Sequence, residues 1–325
     1  MSHELPALEV RPYRLRLHKP FRSALGVALA REGFVVLAHD GGLTGRGEAC
    51  IVPELGTESF AECQQQLSRP NPRTPAARHA VELAMLDLQA QRAGVPLARM
   101  LEAAAVLDVP VSALLDARSN AELARDAARA VAEGFGTVKL KAGLADDFAR
   151  AAVVRDAAGP AVKLRLDANG AWDSATALLR LHELAPLGIE LCEQPTPDLL
   201  GLGAAAVTIA ADELVLGDFE ASLARAQVIV LKPMLLGGLL PALGLARRAI
   251  AAGRKVLVTT SIDGAIARAG AAHLAAAVLG LGPGFGDQPA AGLATGRLLA
   301  EDLCEDTLAP RGGMVRISGA PGLGL

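Results

Sequence analysis

Two lysines, Lys139 and Lys141, stand two residues apart in the apolar stretch VKLKAG of a chain that mostly writes its positive charges as arginine. Only six of its 32 Lys and Arg residues are lysines: Lys19, Lys139, Lys141, Lys163, Lys232 and Lys255. Arginine keeps its proton at any physiological pH, whereas a lysine can be tuned to release one. Further charges close later apolar runs: Asp167 and Asn169 in LRLDAN, Glu193 in CEQP, Asp212 in IAADE and Lys232 in VIVLKP. On neighbouring parallel strands, the three carboxylates would meet at one end of the sheet and repel one another. A dication resolves that repulsion, and all-oxygen ligation favours Mg²⁺, with Mn²⁺ as a substitute. A substrate carboxylate on that cation gains acidity at its α-hydrogen. Lys141, its pKa lowered by Lys139 and the cation, would be the base that removes it.

The elements that must position these groups follow from the spacing. Apolar or β-branched runs begin at residues 109, 137, 161, 189, 207, 228 and 255, which is 28, 24, 28, 18, 21 and 27 residues apart. A strand, a helix and two short loops need about that length, so the pattern predicts a βα repeat. No glycine-rich phosphate loop follows the first run, VPVSALL, which disfavours an open doubly wound sheet. Seven units, with a weak eighth strand near GFGDQP, predict a (β/α)7β TIM-like barrel whose functional groups gather at the C-terminal rim. Strand alternation puts Lys139 and Lys141 on one face and Val138 and Leu140 on the other. Ahead of the barrel, EVRPYRLRL and FVVLAHDGGLTGRGEA read as strands with a Gly-Gly turn, and AARHAVELAMLDLQAQRAG reads as a helix ended by Gly94 and Pro96. The expected division is an α+β capping domain over 1–105, the barrel over 106–295, and a C-terminal segment over 296–325 that returns to complete the cap.

Bulk properties exclude several classes. The net charge of −3 gives no footprint for nucleic acid or an anionic membrane. MSHELPALEVRPYRLRL lacks the pattern of a signal peptide, and AGAAHLAAAVLGLG is too short to span a bilayer. Cys50, Cys63, Cys192 and Cys304 are widely spaced and fit reduced core cysteines in a cytoplasmic protein. The expected partner is a small-molecule carboxylate substrate, and nothing in the sequence sets an oligomeric state.

Together, VKLKAG, LRLDANGAW, CEQP, IAADE and VIVLKP resemble the enolase superfamily in its muconate-lactonising branch. Such sites use a Lys or His base with Mg²⁺. HKPFRSALG and GRGEA resemble that family's capping-domain motifs. The tail, TTSIDGAIARAGAAHLAAAV through AGLATGRLLAEDL, resembles the o-succinylbenzoate synthases of menaquinone biosynthesis. The resemblance implies metal ligands at Asp167, Glu193 and Asp212, the base at Lys141, and a second active-site lysine at Lys232 across the barrel mouth. Asn169 matches the asparagine of the Asp-x-Asn motif. The implied reaction is a lyase step: Lys141 takes the α-proton of a succinyl-bearing cyclohexadiene carboxylate and returns a proton to the departing hydroxyl, while Lys232 stabilises the enediolate. Phe21, Arg22, Ser23 and Ile51 are candidate cap contacts to substrate.

Each residue also has an ordinary reading. A lone Lys-x-Lys is usually a solvated strand face, and Asp-x-Asn a turn or cap before AWDSATALL. Ser261 either lines the pocket or simply ends the seventh strand. His79 and His273 read as packed or exposed rather than as ligands. Trp172 is expected to anchor the start of a helix. The nearest rivals are an N-succinylamino acid racemase, with Lys141 and Lys232 as two bases, and a dipeptide epimerase. The latter characteristically carries Asp-x-Asp on the eighth strand for the substrate amine, where this chain has only Asp287. A Schiff-base aldolase would need one lysine and not three carboxylates. A non-catalytic scaffold would have no use for the whole constellation.

Overall fold

In a computed structural model, which describes residues 6–23, 26–116, 119–282 and 288–325, the N-terminal strands β1 (Ala7–Ser23), β2 (Gly26–Asp40) and β3 (Leu43–Ile51) form one antiparallel sheet in that order. Gly41 and Gly42, with φ of 56° and 81°, make the tight turn between β2 and β3 that L-residues with a Cβ resist. The helix Pro75–Ala93 packs against β3. A Cβ at Gly45 or Gly47 would lie 2.0 or 1.9 Å from the Ala84 or Ala80 carbonyl oxygen, so the GRG motif lets the helix approach. Gly94 ends that helix in a left-handed conformation, as expected.

Twelve strands are found among the described residues. After β4 (Asp108–Pro110) and β5 (Ala113–Leu115) come β6 (Thr137–Lys141), β7 (Lys163–Asp167), β8 (Ile189–Glu193) and β9 (Ile209–Ala211). β10 (Val228–Leu231), β11 (Lys255–Val258) and β12 (Met314–Arg316) complete the set. Strands β5 to β11 form a seven-stranded parallel sheet in sequence order. It curls until its edges meet a common seam: Ala291 bridges Val111 and Gly292 bridges Thr259. The barrel's eighth position is therefore filled by Ala291 and Gly292. The GFGDQP stretch expected there falls largely in 283–287, outside the described residues. A Cβ at Gly292 would lie 2.2 Å from Thr259 Oγ1, so closure at this point depends on glycine.

Two details differ from the sequence pattern. The run 109–115 is not one barrel strand: β4 pairs antiparallel with β12, and only β5 joins the barrel. No helix joins β8 to β9; residues 194–208 cross between the two strands without one.

Alternation sorts the barrel side chains. Leu191, Ala210, Val228, Val230 and Leu257 form their own interior cluster, while a much larger core joins the outer strand faces to the helices. Arg165, 0% exposed and two residues before Asp167, also points inward. It donates from Nε to Glu190 Oε2 (2.5 Å) and from Nη1 to the Ala290 carbonyl (2.6 Å), tying β7 to the closing segment. The helix Ala265–Leu279 is buried along its whole length, as its all-round apolar composition requires. Glu48 of β3 accepts at Oε1 from Gly264 N (2.6 Å) and at Oε2 from Ala267 N (2.8 Å), bonding the cap sheet to that helix's start. The C-terminal segment reaches the cap as well: Leu299 bridges Leu17, Arg46 donates to the Leu325 carbonyl (2.6 Å), and Leu323 N donates to Asp87 (2.8 Å). Among the described residues no helix is long and apolar enough to cross a membrane.

Both His79 and His273 are buried, and burial pushes each down to about 4. His79 Nδ1 bonds the Glu48 carbonyl (2.8 Å), and His273 Nδ1 accepts from Ala98 N (2.9 Å). Between pH 6.5 and 4 the unfolded chain protonates these rings while the folded chain does not. Stability is therefore lost as pH falls through that window, by about 3 kcal/mol per ring. Glu48, raised to about 7 by burial and by the Asp263 charge, works the other way, losing stability as pH rises from 4.5 to 7. His79→Gln is expected to remove its ring's share of the acid loss. Urea unfolding at pH 4.5, 5.5 and 6.5 checks this; a slope equal to wild type would count against a neutral buried His79.

Cys50, Cys63 and Cys192 are free and buried as expected, but Cys304 is exposed and is no core residue. Trp172 is buried just ahead of the helix Ser174–Leu184, its amide donating to the Pro195 carbonyl (3.1 Å).

Candidate active site

The register places Lys141, Asp167 and Glu193 side by side at the C-terminal ends of β6, β7 and β8. Asp212 and Lys232 follow immediately after β9 and β10. Backbone reversals hold this rim. Asn169 (φ 46°) and Gln194 (φ 38°) leave β7 and β8 in the left-handed region, and Ile262 (φ 65°) does so beyond β11. Asparagine tolerates that conformation better than most residues, whereas β-branched isoleucine holds it at a cost of order 1–3 kcal/mol.

The side chains form one ionic cluster. Lys139 Nζ lies 2.5 Å from Glu193 Oε2 and 3.0 Å from Asp167 Oδ2. Lys141 Nζ donates to Asp167 Oδ2 (2.8 Å) and to Asn169 Oδ1. On the far side Lys232 Nζ meets Asp212 Oδ2 at 2.6 Å. Burial alone would lower Lys139, but Asp167, Glu193 and Asp212 outweigh it and hold its pKa well above the ordinary lysine value. Lys232 is raised likewise, its burial overcome by Asp212 and Glu213. Burial opposes ionisation of Asp167, yet Lys139 and Lys141 bring its pKa below the usual range. Glu193 is raised, by burial first and then by the charges of Asp167 and Asp212, despite Lys139.

That mutual repulsion is the feature a dication would relieve, and the donors are all oxygens, so the set Asp167, Glu193 and Asp212 fits Mg²⁺ chemically. As they stand, lysine ammonium groups occupy these carboxylates. Among the described residues no three His, Cys, Asp or Glu side chains surround a common point closely enough to hold an ion without adjustment.

The cluster floors a cavity of about 160 Å³ at the barrel mouth. Lys139, Lys141, Asp167, Asn169, Asp212, Lys232 and Ser261 all line it. Glu193 sits beneath, fully buried and bonded to Lys139. Ile51 does not reach the cavity and packs instead in the cap's own core. Phe21, Arg22 and Ser23 belong to β1, but their side chains lie outside the described residues, as does Asp287.

Three contributors were not singled out in the sequence. Gln194 Oε1 accepts from the amides of Asp212 (2.9 Å) and Leu214 (3.3 Å), while Nε2 donates to the Thr196 (2.8 Å) and Pro197 (3.1 Å) carbonyls, so one amide fixes the position of Asp212. Its presence in CEQP was the available signal. Glu213 accepts from Asn169 Nδ2 at Oε1 (2.9 Å), which turns Asn169 Oδ1 toward Lys141; the DE pair in IAADE marks it. Arg31, from β2, lines the cavity from the cap side, and nothing in an arginine-rich chain distinguishes it.

Residues 122–325 match the Enolase C-terminal domain-like family. The chain belongs to that family. It is an enzyme of the enolase superfamily, and the resemblance read from its five rim motifs holds. The chain is 32% identical to the L-Ala-D/L-Glu epimerase of Bacillus subtilis across 95% of its own length and 93% of that relative. To the o-succinylbenzoate synthase of Thermobifida fusca it is 36% identical, across 64% of this chain and 66% of that one. Among solved structures, the dipeptide epimerase of Enterococcus faecalis complexed with Mg and the dipeptide L-Leu-L-Tyr superposes with a TM-score of 0.87 at 28% identity, covering 98% of this chain and 99% of that one. The superfamily thus accounts for the barrel, and its members named here perform more than one reaction on it.

Proposed function

We propose that this enzyme is a dehydratase, an o-succinylbenzoate synthase acting on a succinyl-bearing cyclohexadiene carboxylate. The observation that carries this reading is the wall opposite the ionic cluster. Among the described residues, Thr259, Thr260 and Ser261 with Gly292 and Ala294 line it, and none of these offers a carboxylate to a substrate amine. The tail that shapes this wall is also the part that resembles the synthases.

In this reading Asp167, Glu193 and Asp212 would hold Mg²⁺, the ion named in the Enterococcus structure, which would supply positive charge to the substrate carboxylate as its α-carbon loses a proton. The chain's own residues do the rest. Lys141 has two of its three Nζ positions directed at Asp167 and Asn169. In the neutral amine the remaining position is a lone pair, and it takes the α-proton. The resulting ammonium returns that proton to the departing hydroxyl, so the C–O bond breaks and water leaves. Lys232, across the cavity, stays charged and stabilises the enediolate oxygens.

A second reading, dipeptide epimerase or N-succinylamino acid racemase, draws on the 32% identity to the Bacillus epimerase over nearly the full chain. There Lys141 and Lys232 would exchange protons on opposite faces. The two readings separate in one assay: cyclohexadiene substrate, N-succinyl amino acids and L-Ala-L-Glu side by side, with α-proton exchange followed in D₂O. The expected result is dehydration with kcat/KM above about 10⁴ M⁻¹s⁻¹ and epimerisation at least about tenfold slower. Lys232→Arg should retain measurable dehydration and lose epimerisation altogether. Efficient epimerisation with poor dehydration would replace the first reading by the second.

A further inference from the structure

We infer that Arg31 of the cap, with Ser261 of the barrel rim, forms the subsite for a second carboxylate of the substrate. The inference deepens the dehydratase reading and rests on it only for the choice of dicarboxylate. Arg31 lines the same cavity as the three catalytic-rim lysines, but from β2. It is 3% exposed, and among the described residues its Nε has no hydrogen-bond partner. Its Nη1 pairs with Glu54 Oε1 at 3.2 Å, long for a charge-assisted bond, and the Glu54 side chain remains 32% exposed.

Ser261 brings a second unmet group to that cavity. Ser261 lines the cavity, and its buried Oγ has no partner among the described residues, while its backbone amide is already engaged with Asp263 Oδ1 (3.2 Å). A buried guanidinium with an idle donor and an idle hydroxyl on the same cavity are each costly in the free protein. A ligand carboxylate satisfies both, since the guanidinium fork matches its two oxygens and the hydroxyl donates a further bond. The first substrate carboxylate is assigned to the Asp167, Glu193 and Asp212 end of the cavity. A group read by Arg31 is therefore a separate anion on the same molecule, such as the end of a succinyl chain. The subsite selects the substrate and leaves the proton transfer at Lys141 untouched.

The test is calorimetric binding to the Mg²⁺-loaded protein of two matched pairs: o-succinylbenzoate against its chain-terminal carboxamide, and N-succinylvaline against its chain-terminal carboxamide. Wild type is expected to prefer the carboxylate by at least about tenfold in one or both pairs. Arg31→Met should reduce that preference to less than about threefold, and Ser261→Ala should reduce it partway. Glu54→Gln, at a half-exposed position, frees Arg31 from its competitor and should increase the preference, which keeps the inference testable should Arg31→Met fold poorly. No preference in wild type, a preference that survives Arg31→Met, or one that falls in Glu54→Gln would each overturn the subsite. A preference that depends on Arg31 in a protein that does not dehydrate the cyclohexadiene substrate would uphold the subsite and reject the synthase reading.

Discussion

Lys141→Arg is expected to lower kcat by at least ~10³-fold, within the range that general acid–base groups contribute, because the proposed reaction cannot proceed without its base. The substitution is informative because it changes so little else. Lys141 ends β6 beside Asp167, and an arginine there can keep the positive charge and the ion pair. What it removes is the capacity to exist as a free amine. The binding of a product such as o-succinylbenzoate should change far less than kcat, and α-proton exchange in D₂O should vanish along with turnover. Single-turnover kinetics on wild type and variant provide the comparison. A variant retaining more than a tenth of the wild-type rate would remove Lys141 from the role of base.

Exhaustive chelation is expected to abolish turnover, and Mg²⁺ or Mn²⁺ to restore it. The fold should survive the treatment, because the three carboxylates are not left bare: Lys139 spans Glu193 and Asp167, and Lys232 holds Asp212. A cation bound only by the folded state nonetheless adds stability by mass action, about 2.7 kcal/mol at a hundred times its Kd. Readdition should therefore raise Tm in step with activity. Asp212→Asn should weaken both responses together. Full activity in demonstrably metal-free protein would remove Asp167, Glu193 and Asp212 from the role of ligands.

The rim was legible because parallel barrel strands are buried on both faces, so a charge at a strand end stands out against its apolar neighbours. Lys139, Asp167, Glu193, Asp212 and Lys232 each interrupt such a run, and the structure brings all of them together. Other features carried no local signal. The β4–β12 pairing joins three-residue segments some two hundred positions apart, too short and too distant for periodicity to register. The seam at Ala291 and Gly292 is built from residues with almost no side chain, so it does not read as a strand. Gln194 acts through an amide that reaches the next strand, which only the fold reveals. Ile51, expected from the family resemblance as a cap contact to substrate, instead packs in one core cluster with Phe34 and Val36, and no local pattern distinguishes the two placements.

The cavity's two arcs differ in what they can tolerate. Strands β6 to β10 supply the lysines and carboxylates, whose bonds to one another leave little latitude for substitution. The remaining arc, from Thr259 through Gly292 to Ala294, with Arg31 and Leu55 leaning in from the cap, has no part in that network of lysine ion pairs. On the reading proposed above, changes confined to this second arc would admit a new substrate while leaving the proposed proton-transfer rim as it stands. Inheritance of the first arc and drift in the second would let a synthase and an epimerase remain close kin.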